Sequence, residues 1–450
     1  MPSDGGPDVV APPGCDLTVS PKDSAACVDD SVGVFVSPSG DDGATGKKAA
    51  PLKSIGKAIE VAGARGLPRV YVCEGSYDTN VEIKAPVGIH GGFSCGWAYT
   101  GAKPKLAPPK GIALRVRGVG GAVVVEDIEV VGAADANTPG DSAIAAFVTD
   151  TPKVSFDRVN LSAGRGTAGA QGSPTANYVG AAAMKGGAAT LALGGDGPTC
   201  ACTDGATSST GGHGGNTMGV GLTDGSAVPN VGVPNSGASK ASSCDPGLPG
   251  ANGTPGGTGT PMASPGALSS AGWSAQSTAK AAPPGKPAQG GGGGGTKLDS
   301  SAAGGGGGCG GCGGGGGTSG SPGGSSFALL VNESNVIVTG GALTTSAGGG
   351  GGTGGNGQDG QGGGTPGTGI ACNGGPGGIG AGGSGGPGGP GGHSVPIAFA
   401  GTEPKVTNAM VTPGTKGASG PGGAAGAGTG NPGAAGPPGP EGKAQNTLAL

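Results

Sequence analysis

Aromatic residues are scarce in this chain: 12 of 450, with 2 Trp, 4 Tyr and 6 Phe. Charged residues are few as well, at 12%, and at a net charge of −4 no run of Lys or Arg forms a phosphate-binding stripe. Nucleic acid and anionic membrane are therefore poor partners for it. No stretch of about 18 consecutive apolar residues occurs, so no transmembrane helix is expected. The opening MPSDGGPDVVAPPG lacks both the charged and the apolar region of a signal peptide. No nucleophile motif, phosphate loop or spaced zinc site is present, and no cofactor or metal is expected. His90, His213 and His393 fall in three separate regions.

Glycine and proline take the place of these residues. The 114 Gly and 39 Pro fill 153 positions. Residues 1–163 hold only 22 Gly but 34 of 52 charged residues and 8 of 12 aromatics, whereas the remaining 287 residues hold 92 Gly. The front can bury a conventional core and the back cannot, which rules out a helical globular enzyme across the whole chain. Ten cysteines, an even set, stand at 15, 27, 73, 95, 200, 202, 244, 309, 312 and 372. In a chain with little core, Cys15, Cys27, Cys73, Cys95, Cys200, Cys202, Cys244, Cys309, Cys312 and Cys372 read as disulfide staples made in an oxidising compartment. Cys15 with Cys27 and Cys73 with Cys95 are the expected front pairs, by proximity along the chain. The expectation is an extracellular or outer-surface protein whose signal or lipoprotein leader lies outside this sequence, with residues 1–31 as a tether.

Val32–Ser39 begins with an apolar, β-branched run and stops at a Ser-Pro-Ser-Gly turn. Over Pro51–Gly66, Leu52, Ile55, Ile59 and Ala62 recur on one face of a helix, with Pro51 at an N1-like position. Arg69–Cys73 and Val81–Phe93 then alternate as strands. In order, Val36–Gly40, Ala50–Ile59, Glu74–Tyr77, Gly91–Phe93 and Trp97 form a string that resembles the N-terminal segment of bacterial right-handed parallel β-helix proteins of the pectate-lyase-like superfamily. The resemblance covers roughly residues 32–100 and implies a β-helix with a capping helix.

Residues 111–132, 142–164, 326–348 and 394–414 each hold an apolar strand, a polar corner, a second short strand and a Thr/Ser/Gly exit. Such a repeat suits one turn of a parallel β-helix, each turn stacking on the last, and residues 444–450 open another. Between these turns Gly recurs at every third position over 305–323, 348–363, 374–392 and 414–426, after a slip over 430–442, and in a further register over 247–259. Three residues per turn is the polyproline II period, and a glycine stripe lets neighbouring helices use their free N–H and C=O groups on each other. The runs read as outward and returning legs of roughly 50–60 Å and 40 Å, at about 3.1 Å per residue. The period is similar to that of the polyglycine-II bundles of springtail antifreeze proteins and some phage tail-tip adhesins, and the insertions are PGRS-like in composition. A disordered tail and a collagen-like trimer are the competing readings of such composition; strand turns at both ends of the legs favour the folded bundle. On a leg, Cys309 and Cys312 would hold their Cα atoms ~9 Å apart, beyond the about 7 Å limit of a disulfide. They are expected to bridge to other legs.

Relatives with a parallel β-helix include polysaccharide lyases and hydrolases. Asp127 and Glu129 stand at i and i+2 on a predicted strand and would share a face, as would Arg115 and Arg117 about twelve residues earlier. Stacked acids and arginines are what a Ca²⁺-assisted lyase uses, and an ordinary solvated face of ion pairs is the competing reading.

The expected fold is all-β: a short right-handed parallel β-helix with an N-terminal cap helix, plus a bundle of glycine-rich polyproline/polyglycine-II helices. The expected organisation is a tether over 1–31, the cap and first turns over 32–163 and a glycine-rich insertion over 164–324. Further turns, alternating with glycine-rich hairpins at 348–392 and 414–442, would fill 325–450. The expected role is structural or adhesive, toward a surface glycan, a neighbouring cell-surface protein or itself. A carbohydrate-active enzyme and an ice-binding protein are the alternatives.

Overall fold

The computed structural model describes residues 9–180, 183–217, 222–228, 244–261, 266–275, 280–297, 302–428 and 431–450. Three sheets, parallel but for one hairpin strand, wind around one interior as a β-helix. The first sheet stacks Gly33–Val36, Arg69–Cys73, Gly88–Phe93, Ala122–Glu126, Lys153–Asp157, Val336–Thr339 and Lys405–Thr407, with Tyr99–Ala102 folded antiparallel onto Gly88–Phe93. The second runs from Ser76–Tyr77 through Lys105–Leu106, Glu129–Gly132, Asn160–Ala163 and Ala342–Thr345 to Met410–Thr412. The third runs from Val81–Ile83 through Leu114–Arg117, Ala143–Thr149, Ser326–Asn332 and Ser394–Ala400 to Thr447–Ala449. Val70, Ile89, Val125, Phe156, Leu161, Leu329 and their neighbours fill the interior.

Left-handed corners recur at two places along the winding, four times at each. One follows the first sheet, at Asp127, Arg158, Gly340 and Asn408 (φ 51, 55, 65 and 54°), and the other follows the third, at Gly118, Asp150, Glu333 and Gly401 (φ 62, 51, 44 and 91°). Asp, Asn and Gly dominate there because they tolerate the left-handed region best.

Helix Ile55–Arg65 covers the first coil with Ile55, Ala58, Ile59 and Ala62 turned inward. It starts four residues later than Pro51, because Ser54 caps it by accepting from the Lys57 N–H, and Gly66 (φ 67°) ends it.

The glycine-rich excursions all leave at one corner, between the second and third sheets: from Ala163 to Ser326, Thr345 to Ser394 and Thr412 to Thr447. Among the described residues their long glycine-rich legs carry no helix or regular strand, yet they are bonded leg to leg at every third residue. From Gly305 to Gly323 every third N–H donates to carbonyls running from Cys372 to Pro390, at 2.8–3.0 Å. From Gly349 to Gly367 every third N–H donates antiparallel to carbonyls from Gly324 back to Gly306, and from Gly348 to Gly360 to carbonyls from Thr415 to Ala427. Residues 304–317 lie innermost and are Gly everywhere except Cys309 and Cys312. None of these glycines has a left-handed φ. Contact, not conformation, demands them: a Cβ on Gly310, Gly311 or Gly313 would strike the carbonyl oxygen of Ala288, Gln361 or Gly285.

Cys15–Cys27, Cys73–Cys95, Cys200–Cys309 and Cys202–Cys312 are bonded. Cys309 and Cys312 thus reach out to another segment, as their spacing on a leg requires. Cys244 and Cys372 depart from the expected set and carry free thiols. Burial, and then the Cys244 thiol beside it, push Cys372 up to about 12.

The first excursion is also pinned by side chains. Its hairpin of Ala267–Ser269 and Gly272–Ser274 lays Trp273 edge-on to Phe327 (5.0 Å between ring centroids) on the outer face of the third sheet. His393 is buried beside Trp273 and accepts the Lys443 N–H at Nδ1 (2.9 Å), joining the ends of the second and third excursions.

Two outcomes are expected. Gly386→Ala, whose Cβ would meet the Thr318 carbonyl, costs about 1–3 kcal/mol by overpacking. Gly257→Ala, with nothing within 4 Å, stays within about 0.5 kcal/mol. Equal losses at the two sites in urea unfolding would refute the close-contact account. Burial also pushes His393 down to about 4 from its ordinary 6.5. The unfolded chain therefore takes up the proton first, so stability is full above about pH 6.5 and fades as pH falls toward 4. Thermal melts of His393→Gln should show a shallower loss over that window than the parent; an unchanged slope would remove His393 as the cause.

Candidate functional site

The polar residues of the front half meet on the outer face of the first sheet. Parallel pairing puts Phe35, Tyr71, His90, Glu126, Asp157, Thr339 and Thr407 in one row, a residue from each successive coil. Their strand neighbours Val34, Val70, Ile89, Val125, Phe156 and Val338 face the interior, so period-two alternation sends this row outward.

A strap covers the row. Residues 15–31, expected as part of a tether, instead lie along the sheet, closed on themselves by Cys15–Cys27. Arg69 donates from one guanidinium nitrogen to the carbonyls of Leu17 and Val19 (3.0 and 2.8 Å), and the Tyr71 hydroxyl donates to the Cys27 carbonyl. Ser20 Oγ donates to Glu126 Oε2 at 2.7 Å. Between strap and sheet lies a cleft of about 520 Å³ lined by Leu17, Ser20, Arg69, His90, Glu126 and Asp157, among others.

Glu126 is the hub. Its Oε2 also lies 2.9 Å from His90 Nδ1 and 3.9 Å from an Arg158 nitrogen. Burial works against its charge, but the bonds from His90 and Ser20 outweigh it and hold the carboxyl below its ordinary range. Burial pushes His90 down in spite of Glu126. The pair is therefore an ionised carboxylate and a neutral imidazole whose Nδ1–H donates to it. Asp157 is pushed upward, first by burial and then by the Glu126 charge in the adjoining coil. At the corner beyond, Arg158 grips Asp127 through two bonds of 2.9 and 2.8 Å, and Tyr99 donates to the same carboxylate at 3.1 Å. Asp127 holds Arg158 firmly protonated.

Two carboxyls pushed apart in proton affinity make an acid–base pair in principle. Here the chemistry is already committed. Ser20 donates its proton to Glu126 rather than to His90, and His90 and Glu126 are almost wholly buried under the strap. The arrangement fits a polar seam that ties strap to sheet. Among the described residues no group of three His, Cys, Asp or Glu side chains stands close enough to hold a metal ion.

The four residues singled out from sequence do not assemble. Asp127 is not on a strand with Glu129: it turns the corner after the first sheet, whereas Glu129 opens the strand Glu129–Gly132 of the second sheet and pairs with Lys105 at 3.4 Å. Arg115 and Arg117 lie on the third sheet, Arg115 over the Phe147 ring and Arg117 beside Glu82 at 3.3 Å. Arg115 lines an open trough of about 650 Å³ with Glu82, Lys110, Asp135 and Asp141, a lining of both signs. His90, Glu126 and Arg158 were missed. Their signal is the coil-to-coil spacing, 36 residues from His90 to Glu126 and 31 from Asp127 to Arg158.

A family described as a protein of unknown function, DUF1565, matches residues 38–96. No curated protein and no solved structure matches the chain.

Glu126→Gln should weaken the seam by about 1–3 kcal/mol, since a buried charged acceptor is replaced by a weaker one. Limited proteolysis is the direct check. Cleavage within residues 16–26 should rise in the variant, and an unchanged strap would mean that Glu126 does not hold it.

Proposed function

We propose that this chain is an exported bacterial surface protein of structural or adhesive role. Its β-helix is the base for a stiff polyglycine-II bundle built from the excursions at 164–325, 346–393 and 413–446. The observation that carries this reading is the three-residue rhythm of leg-to-leg bonds between excursions that leave one corner of successive coils. A chain bonded in this way is a rod, and its flat faces of small side chains suit contact with an extended surface. Four disulfides support an oxidising, extracytoplasmic setting. None of the helices in the described residues is long and apolar enough to cross a membrane.

One observation favours a second reading, a carbohydrate-active enzyme: Glu126 and Asp157 stand in adjoining coils with proton affinities pushed in opposite directions. That reading requires the strap to lift.

A panel of polysaccharides, uronates included, separates the two when scored in parallel for retention and for cleavage with Ca²⁺ present. Retention without cleavage is expected. Cleavage that disappears in Asp157→Asn would replace the adhesive reading with the enzymatic one.

A further inference from the structure

We propose that the hairpin 414–442 is a built-in cap that closes the bundle to any further leg, including one from a second copy of this chain. The proposal rests on the bonding pattern of the legs and not on the surface role.

The excursions stack in register. The carbonyls of Ala347, Gly350 and Thr353 accept from Gly166, Gly169 and Gly172 in the first excursion, and those of Thr415, Ala418 and Pro421 accept in turn from Gly348, Gly351 and Gly354. Position 416 therefore repeats 348, and 419 repeats 351. On the returning leg the carbonyls of Ala381, Ser384, Pro387 and Pro390 accept from the first excursion, and those of Asn431, Ala434, Pro437 and Pro440 accept from Gly382, Gly385, Gly388 and Gly391. Positions 432, 435, 438 and 441 thus repeat 382, 385, 388 and 391.

The residues change at these repeats. A Cβ on Gly382, Gly385, Gly388 or Gly391 would strike the carbonyl of Gly426, Gly423, Gly420 or Gly417 in the hairpin that covers them. One layer out, the same four positions are Pro432, Ala435, Pro438 and Glu441, all exposed. Each carries the atom that the covered glycines must lack, and the two prolines have no N–H to offer. On the companion leg Gly348, Gly351 and Gly357 give way to Lys416, Ser419 and Ala425, and Lys416 pairs with Glu441 across the hairpin. Gly422, which repeats 354, stays glycine between Ser419 and Ala425. A bare glycine stripe fits one kind of partner, another leg, because its backbone groups must meet backbone groups at close range. The cap removes that fit, as charged edges and terminal repeats do in sheets and solenoids.

The test replaces Lys416, Ser419, Ala425, Pro432, Ala435, Pro438 and Glu441 with Gly in the full chain. Sedimentation velocity should show self-association roughly tenfold or more tighter than in the parent, with new hydrogen-exchange protection over 414–442. Because added glycine can prevent ordering, a second variant joins Pro413 to Lys443 by a short loop. This uncovers the stripe at Gly382–Gly391 and should associate likewise. Circular dichroism identifies the folded variants. Folded variants that associate no more than the parent would overturn the proposal. So would a parent that already pairs through Lys416, as mapped by cross-linking.

Discussion

Backbone hydrogen bonding is the constraint on which this structure depends. A buried N–H or C=O without a partner costs as much as a lost hydrogen bond, whatever side chain it carries. In the innermost leg, 304–317, there are almost no side chains to bury, so stability has to come from pairing the backbone itself. A sheet would satisfy each residue with two neighbours in a plane. Legs bonded at every third residue distribute those bonds around several directions, which allows legs to surround a leg. The glycine content follows from that geometry: the close approach that forms the bonds leaves no room for a Cβ.

The β-helix makes this arrangement reachable. Nucleating a bundle of legs from a free glycine-rich chain would cost the entropy of every residue at once. Here each excursion begins and ends on a strand already paired to its neighbours, at one corner of consecutive coils. Leg-to-leg bonds lie close to 2.9 Å, the ordinary N–H···O distance on which sheet ladders are also built. The layers of excursions can therefore stack in step with the coils that carry them. Trp273 against Phe327, and His393 on the Lys443 N–H, fasten excursions to this base by side-chain contacts.

Local signals in the sequence were legible, and contacts between distant segments were not. The helical face of Ile55, Ile59 and Ala62 and the coils at 142–164 and 326–348 rest on periodicity within a short window, and the structure places elements at each. The triplet of glycines is local too: the registers Gly305–Gly323 and Gly374–Gly392 donate between legs, and so do the neighbouring registers Gly349–Gly367 and Gly382–Gly391, which the triplet alone does not single out. Asp127 and Glu129 went astray because strand alternation was carried through a corner, and the left-handed turn at Asp127 breaks it. The seam of Ser20, His90 and Glu126 was invisible for a different reason. It is written in the register between coils, and the spacing varies from one coil to the next because the corners differ in length. The same holds for Cys200–Cys309 and Cys202–Cys312, whose separations of 109 and 110 residues no local pattern encodes.

The placement of those two staples follows from the same constraint. Elsewhere in the molecule side chains fix which segment meets which, as the apolar interior does for the coils. An all-glycine leg has no such labels, and sliding by three residues would restore every one of its backbone bonds. Covalent links at Cys309 and Cys312 remove that degeneracy, since only one register brings both sulfurs to Cys200 and Cys202. The first of these bridges to form closes a long loop and limits the unfolded chain by about 4–5 kcal/mol in the loop-entropy account, and the second, closing only the short ring through 200–202 and 309–312, adds less. In the innermost leg, 304–317, side chains are therefore admitted only at Cys309 and Cys312, where they set its register.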